Sequence, residues 1–389
     1  MKEVFERLFG KRETRLFFAP GRINLIGEHT DYNGGHVFPA TITYGTYALA
    51  AKREDRQVNL YSMNFEEKGV ISFSLDELEF DQAHDWANYP KGMIRYLQSD
   101  DRKMDTGFDV VYYGNIPNGA GLSSSASIEI VTGVMLESLF GWELDRIEMV
   151  KIGQKVENEF MGVNSGIMDQ FAIGMGKKGA GILLDCNTLE FDYAQLELEE
   201  EQVIIMNTNK RRELSESKYN ERRESCDHAV EQLQKELSIQ TLGELTEEEF
   251  EAYKHLIECD TVRKRAKHAV YENRRTLQAL EALKEGYLEQ FGELMNASHV
   301  SLREDYEVTG KELDTLVEAA WQQEGVIGAR MTGAGFGGCA IAIVKADYVD
   351  DFLQQVGELY EEKIGYEATF YVADIGDGAR ELQKDEVIV

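Results

Sequence analysis

Two kinds of hydrophobic pattern alternate along the first half of the chain, and they predict different elements. Between residues 16 and 74, short runs rich in β-branched and aromatic residues, such as TITYGTYALAA and QVNLYSM, are typical of strands. The segment SIEIVTGVMLESLF has the length and apolar spacing of a helix, and a second helix is predicted from about Asp145 to Met161. GILLDC and EQVIIMN then return to the pattern of buried strands. The first half is therefore predicted to mix strands and helices.

The second half is more charged and mostly helical between residues 215 and 297. Apolar positions there fall at helical intervals and form one stripe: Val262, Ala266, Ala269, Val270, Leu277 and Leu280. The basic cluster at residues 263–267, which includes Arg265, is predicted to lie on a solvated helix face. Further on, ARMTGAGFGGCAIAIVKADY indicates a glycine loop that leads into a buried strand. We predict an α+β chain with two domains, residues 1–197 and 198–389, divided at the acidic segment LELEEEQ.

Composition narrows the classes of function. A chain of 389 residues is long enough for two domains with a cleft between them, which suits an enzyme. The formal charge, 41 − 71 = −30, argues against nucleic acid or an anionic membrane as the main partner. No stretch approaches the roughly 20 apolar residues of a membrane span, and the start of the chain does not resemble a signal peptide. We therefore expect a cytoplasmic protein. The four cysteines are scattered and do not have the spacing of a zinc site.

The segment GNIPNGAGLSSSASIEI, residues 114–130, predicts a phosphate-binding loop. Its glycines allow several backbone N–H groups to turn toward one point, and the helix that follows adds the positive end of its dipole. The serine hydroxyls can add hydrogen bonds, and one can ligate a magnesium ion bound to the same phosphates. A serine-rich helix cap is the alternative for such a loop alone. The sequence does not match a Walker A loop, a dinucleotide-binding fingerprint or a nucleophile elbow.

Two further segments favour the functional interpretation of this loop. TGAGFGG, residues 332–338, repeats the Gly-Ala-Gly core in the second domain. Residues 21–39 crowd four ionisable residues, Arg22, Glu28, His29 and Asp31, between an apolar run and a pair of glycines, which indicates a polar site. Together the segments predict a cleft closed from both sides, as phosphoryl transfer requires.

These segments resemble, in order, the three motifs of the GHMP small-molecule kinases. GRINLIGEHTDYNGGHVFP is similar to the signature of the galactokinase branch, PNGAGLSSSAS to the ATP loop, and MTGAGFGGCAIA to the third motif. Supporting matches are DWANYPKG, GIMDQ and SKYNERR, so the resemblance covers almost the whole chain. It implies a mixed-sheet N-terminal domain, a ferredoxin-like α+β C-terminal domain and an active site between them. The implied activity is ATP-dependent, magnesium-requiring phosphorylation of the anomeric hydroxyl of galactose.

The resemblance also implies roles for individual residues. Asp169 is expected to accept the proton of the sugar hydroxyl, with Arg22 beside it to stabilise charge. The sugar-binding residues would be Glu28, His29, Thr30, Asp31 and Tyr219. The ATP-binding residues would be Ser62, Trp86, Gly119, Ala120, Gly121, Leu122, Ser123, Ser124 and Ser125, and the magnesium ligands Ser125 and Glu157.

Two alternatives remain open from the sequence. A kinase of the same branch could act on N-acetylgalactosamine or another sugar, because one sequence does not show the room at the 2-position. A non-catalytic galactose sensor is the other, although such proteins lose residues of the serine loop, and SSSAS is complete here. The expected ligands are galactose and ATP, and a monomer is favoured.

Overall fold

The structure is a computed structural model that describes residues 1–117, 120–210 and 215–383. Its helices are α1 Lys2–Phe9, α2 Asn88–Leu97, α3 Ser124–Phe140, α4 Arg146–Lys155, α5 Met168–Met175, α6 Ser215–Leu233, α7 Glu247–Tyr253, α8 Asp260–Lys284, α9 Leu288–Ser301, α10 Gly310–Trp321 and α11 Val349–Ile364. Its strands are β1 Arg15–Asn24, β2 His36–Val37, β3 Pro39–Lys52, β4 Gln57–Ser62, β5 Ile71–Ser74, β6 Phe108–Gly114, β7 Ala180–Asp185, β8 Phe191–Gln195, β9 Glu201–Asn207, β10 Val326–Thr332, β11 Cys339–Lys345, β12 Thr369–Ala373 and β13 Arg380–Glu381. Within these ranges no helix has both the length and the apolar character needed to cross a bilayer.

The N-terminal half is built on a mixed sheet of six strands in the order β13-β1-β3-β6-β4-β5. β4 pairs with β6 in parallel, and the other neighbours are antiparallel. Helix α3, which the apolar spacing predicted, packs on β1 and β3, and α5 packs against α3. Phe17, Val110, Ile130 and Phe171 belong to the core that these elements enclose. The prediction of a mixed sheet flanked by helices is confirmed.

The C-terminal half contains an antiparallel sheet in the order β10-β11-β9-β12. Its strands and the helices between them follow the strand–helix–strand–strand–helix–strand plan of a ferredoxin-like unit. Helices α9, α10 and α11 pack against this sheet, with Leu316, Met331 and Phe352 in the core. A third, small sheet joins β2, β7 and β8. The predicted α+β second domain is therefore confirmed.

The two halves share buried contacts that fix their relation around the cleft. One hydrophobic cluster combines Ile23 and Phe38 with Phe291 and Ile341. The chain also returns after the second sheet, because β13 pairs with β1 of the first sheet. Both ends of β1 are thus held by later parts of the chain, and the loop that follows Asn24 lies between the halves.

One prediction for α8 is wrong. Arg265 does not lie on a solvated face, since only 3% of it is exposed. Its guanidinium donates to the backbone carbonyl of Tyr306 and lies 3.3 Å from Glu307 Oε2. The sequence gives no local signal for this, because the partners come from a turn more than 40 positions later in the chain.

Candidate active site

The predicted cleft contains two neighbouring cavities. The first has a volume of about 250 Å³ and is lined by Arg22, Glu28, His29, Asp31, Ser125, Glu157, Val163, Ser165, Gly166, Met168, Asp169, Tyr219, Gly333 and Ala334. The second, of about 240 Å³, is lined by Thr46, Ser62, Asn64, Phe65, Trp86, Tyr89, Tyr112, Gly114, Ile116, Ser124, Ser125 and Ile128. Ser125 lines both, so the two cavities meet at the start of α3.

A buried ion pair lies on the wall of the first cavity. Arg22, in β1, donates from Nε to Asp169 Oδ1 and from Nη2 to Asp169 Oδ2, each at 2.8 Å. The Arg22 side chain is 5% exposed and that of Asp169 28%. Burial works against the charge of Arg22, but Asp169 and Glu28 nearby raise its pKa above the ordinary value. The pair gives the cavity a fixed cation beside a partly accessible carboxylate.

The glycine loop connects this pair to helix α3. Gly121 has a φ of 72°, and its carbonyl accepts a hydrogen bond from Arg22 Nη1 at 2.9 Å. Ser123, which precedes the helix, has a φ of 66°, and its hydroxyl donates to Asp169 Oδ2. A left-handed backbone is unusual for serine, and it turns this hydroxyl toward the carboxylate. Ser123 therefore contacts Asp169, whereas Ser124 and Ser125 line the second cavity.

The other predicted loop residues have different positions. Ala120 and Leu122 are buried and do not line either cavity. The carbonyl of Leu122 accepts a hydrogen bond from the backbone N–H of Arg22 at 3.1 Å, which ties the loop to β1. Gly119 lies outside the described residues.

Glu28 lies at the base of the first cavity and is only 1% exposed. Asn24 donates to its Oε1 at 3.2 Å, and Arg330 Nη1 lies 2.8 Å from its Oε2. Burial raises the pKa of Glu28, while the charges of Arg330 and Arg22 act in the opposite direction. Both carboxylate oxygens are held by the protein, which leaves their remaining lone pairs as acceptors for a ligand.

His29 has protein partners at both ring nitrogens. Nε2 lies 3.2 Å from the carbonyl oxygen of Ala334, and Nδ1 lies 2.8 Å from the hydroxyl of Tyr32. Burial lowers the pKa of His29 to about 3, so the ring is neutral. A neutral ring that donates from Nε2 to a carbonyl accepts at Nδ1, so Tyr32 donates to it. Thr30 is fully buried and donates to backbone carbonyls of its own turn, so it lies behind the cavity.

Asp31 and Tyr219 complete the predicted sugar residues in the first cavity. Burial, and then the charge of Asp169, raise the pKa of Asp31 to about 6. Its carboxylate lies against Gly166, where a β-carbon would come within 1.9 Å of Oδ2. The ring of Tyr219, from α6, lies 5.5 Å from that of His29. The signature loop, α5 and α6 therefore meet at one cavity.

Ser125 and Glu157 are close enough to bind the same ion. Both line the first cavity, where the nearby Ser125 hydroxyl favours the charged form of the Glu157 carboxylate, and Ser165 donates a hydrogen bond to that carboxylate. Glu157 lies in a widened helical turn, residues 156–161, and burial raises its pKa. In the described part of the chain, no group of three or more histidine, cysteine and acidic side chains could hold a metal. A hydroxyl and one carboxylate suit Mg²⁺ when phosphate oxygens and water supply the other ligands.

The second cavity is more apolar and contains the two remaining nucleotide candidates. Trp86 is 8% exposed and meets Tyr112 edge to face, with ring centroids 5.8 Å apart. Its indole N–H is buried and is not hydrogen-bonded to any described residue. Ser62, at the end of β4, is also buried against this cavity. An aromatic wall with a free donor fits a flat heterocyclic ligand such as a nucleobase.

Sequence reasoning missed the residues that support the signature loop from behind. Arg330 and Glu272 are fully buried, and both contact the loop, as does His268 through the carbonyl of Glu28 at 3.1 Å. Arg330 stands two positions before the third glycine motif, in the quoted segment ARMTGAGFGG. The predicted buried strand follows the glycine loop, so no local pattern marks Arg330 as buried. Glu272 and His268 lie within a charged helix and have no such signal either.

Three family models match the chain. The galactokinase galactose-binding signature matches residues 3–52, the GHMP kinases N-terminal domain matches residues 88–177, and the GHMP kinases C-terminal model matches residues 279–362. The first contains the loop that carries Glu28, His29 and Asp31, and the second contains Ser125, Glu157 and Asp169.

Similar proteins and structures agree with these models. The chain is 60% identical to a galactokinase of Exiguobacterium sibiricum, over 100% of the chain and 99% of that relative. It is 58% identical to a galactokinase of Streptococcus thermophilus, over 98% of each. The crystal structure of Lactococcus lactis galactokinase complexed with galactose superposes with a TM-score of 0.96 and 56% identity over 98% of each chain. A mevalonate kinase structure, at 21% identity and a TM-score of 0.65, shares the fold.

Proposed function

Since the chain belongs to the galactokinase family within the GHMP kinases, we propose that it transfers the γ-phosphate of ATP to the anomeric hydroxyl of D-galactose. The products are galactose 1-phosphate and ADP, the first phosphorylation of galactose catabolism. One observation of geometry carries the proposal: the polar cavity with the Arg22–Asp169 pair meets the more apolar cavity at Ser125. A sugar in the first and a nucleotide in the second would bring the hydroxyl and the γ-phosphate together.

In this proposal the sugar is bound by the signature loop and Tyr219. Glu28 and Asp31 accept hydrogen bonds from sugar hydroxyls, and the faces of His29 and Tyr219 pack against the ring. Asp169 accepts or orients the hydrogen of the 1-hydroxyl as its oxygen attacks phosphorus. A loose transition state needs little deprotonation before attack, so the position of Asp169 matters as much as its basicity.

Arg22 and the start of α3 act on the phosphoryl group. The guanidinium orients the Asp169 carboxylate through two hydrogen bonds and offers positive charge to the oxygens that gain charge in transfer. Ser125 and Glu157 would hold Mg²⁺, which neutralises charge on the ATP phosphates when it is bound. Ser124 and Ser125 adjoin the phosphates, and Trp86 and Ser62 flank the base and ribose.

The decisive experiment measures magnesium-dependent ADP release across galactose, N-acetylgalactosamine, glucose, arabinose and talose. We expect fast turnover with galactose and a product that ³¹P NMR identifies as the 1-phosphate. Fast turnover with N-acetylgalactosamine instead would move the assignment to another sugar of the branch. Galactose binding without phosphorylation of any sugar would refute the kinase proposal and favour a sensor.

A further inference from the structure

The C-terminal half of the chain contacts three of the four polar groups of Glu28. The backbone N–H of Glu28 donates to Glu272 Oε1 at 3.3 Å, and its carbonyl oxygen lies 3.1 Å from His268 Nε2. Its Oε2 lies 2.8 Å from Arg330 Nη1. Within the loop itself, Asn24 contributes one hydrogen bond, to Oε1. The orientation of this carboxylate is therefore set mainly by residues far away in sequence.

Arg330 is the centre of this support. It is fully buried and donates to the carbonyl of Asn24 at 2.7 Å and to Ser298 Oγ at 3.2 Å, in addition to its pair with Glu28. Its Nη2 lies 3.9 Å from Glu272 Oε1. One planar guanidinium thus contacts the end of β1 and the Glu28 carboxylate through Nη1 and Ser298 through Nε. An arginine can do this because its donors point in fixed, divergent directions.

Glu272 binds the backbone of the signature loop. Its Oε1 accepts hydrogen bonds from the N–H groups of Gly27 and Glu28 and from Ser298, and Arg275 pairs with its Oε2 at 2.8 Å. Neither Arg330 nor Glu272 lines the first cavity, so neither touches the ligand directly. Their contacts end at the residue that does line it.

We propose that Arg330, supported by Glu272, is a positioning residue that sets galactose affinity by fixing the Glu28 carboxylate in the sugar cavity. The inference rests on the proposed function, because it takes Glu28 as a sugar ligand. A carboxylate held at both oxygens is aligned before the sugar arrives, so less freedom is lost on binding. Removal of Arg330 leaves Glu28 in place but free to rotate toward other partners. The effect of an Arg330 substitution on galactose affinity should therefore depend on the presence of the Glu28 carboxylate.

A double-mutant cycle tests this route. Galactose affinity is measured by calorimetry for the wild type, Arg330→Lys, Glu28→Gln and the double variant. Lysine keeps the charge but lacks the divergent donors, so we expect Arg330→Lys to bind galactose about tenfold or more weakly, the factor typical of a lost charged hydrogen bond. In the Glu28→Gln background the same substitution should change affinity less than about twofold. In turnover, KM for galactose should rise while kcat and the affinity for a non-hydrolysable ATP analogue stay nearly constant.

Two further variants guard against a merely structural effect. Arg303→Lys alters another arginine–glutamate pair of the C-terminal half, with Glu318 at 3.0 Å, and should leave galactose affinity unchanged. If Arg330→Lys fails to fold, Ser298→Ala replaces it, because it removes one partner of Arg330 and one of Glu272. Ser298→Ala should weaken galactose binding about threefold when it is the only substitution, and should leave binding unchanged when it is added to Glu28→Gln.

The outcomes separate the two proposals. If the wild type phosphorylates galactose but the Arg330 and Glu28 effects multiply, the positioning role is refuted and the function stands. Wild-type affinity in a folded Arg330→Lys, or a loss confined to kcat, also refutes it. If the wild type binds no galactose, the proposed function fails and the inference fails with it.

Discussion

Replacement of Asp169 by asparagine tests the chemistry most directly. Asparagine keeps the shape of the side chain but has one carbonyl oxygen in place of two carboxylate oxygens. If that oxygen takes the place of Oδ2, it still accepts hydrogen bonds from Ser123 and Arg22 Nη2. The amide NH₂ then faces Arg22 Nε, which is also a donor, so one hydrogen bond of the pair is lost. Loss of a charged hydrogen bond costs about 1.5–3 kcal/mol, and about 1–2 kcal/mol here because the Asp169 side chain is 28% exposed.

The effect on turnover should be much larger than the effect on stability. Loss of a positioned proton acceptor lowers rates by about 10²–10⁴, equivalent to about 3–5 kcal/mol on the barrier. We therefore expect Asp169→Asn to lose that factor in kcat while galactose affinity changes less than about threefold. Coupled ADP release gives kcat, calorimetry gives the affinity, and urea unfolding gives the stability.

Asp305→Asn is the matched control for Asp169→Asn. It removes a carboxylate that is 17% exposed and lies 3.1 Å from Lys267, outside both cavities. We expect Asp305→Asn to show a small change in the free energy of unfolding and the same turnover as the wild type. A kcat of Asp169→Asn within tenfold of the wild type would refute the role of Asp169, whatever its stability.

Three further predictions concern the walls of the cavities. Glu157→Gln should raise the Mg²⁺ concentration for half-maximal rate about tenfold or more without changing galactose affinity, and an unchanged magnesium titration would contradict its role as a ligand. The pKa of Asp31 is raised from 3.8 to about 6, so the folded state holds this proton more tightly and loses stability as pH rises from about 4 to about 6. In urea unfolding, Asp31→Asn should then be more stable than the wild type by about 1–3 kcal/mol at pH 7.5 but not near pH 4, and it should bind galactose more weakly. Equal stability of the variant and the wild type at both pH values would argue against the buried charge. Gly166→Ala should displace the Asp31 carboxylate, because the new β-carbon would lie 1.9 Å from Oδ2, and raise KM for galactose, whereas an unchanged KM would show that the carboxylate is not a sugar ligand in this position.

Much of the fold was predictable because its signals are local. The apolar spacing in residues 127–140 identified most of α3, and the runs GILLDC and EQVIIMN correspond to β7 and β9. Helical periodicity and strand alternation reflect which side of an element is buried, and a single segment carries that information. The pairing of strands is not encoded in a single segment. The return of β13 to β1 joins residues more than 360 positions apart, and nothing near Arg380 predicts its partner.

Sequence alone determined which residue types are available for the chemistry and in which short segments they stand. The motif residues Arg22, Glu28, Asp31 and Asp169 line one cavity in the structure. Tertiary structure decided what each of them does with its polar atoms. In the folded chain both ring nitrogens of His29 have protein partners, and the Thr30 hydroxyl donates to a backbone carbonyl behind the cavity, although both residues belong to the same signature.

The same distinction explains why the support of the sugar loop was missed. Arg330 and Glu272 resemble ordinary charged residues in the sequence, and only the packing of β10 and α8 against the loop after β1 brings them to Glu28. A buried charge needs partners that compensate for its lost hydration, and here those partners come from distant parts of the chain. Local pattern fixes the elements and the chemistry they carry, while the orientation of each functional group depends on contacts that exist only after the two halves have packed together.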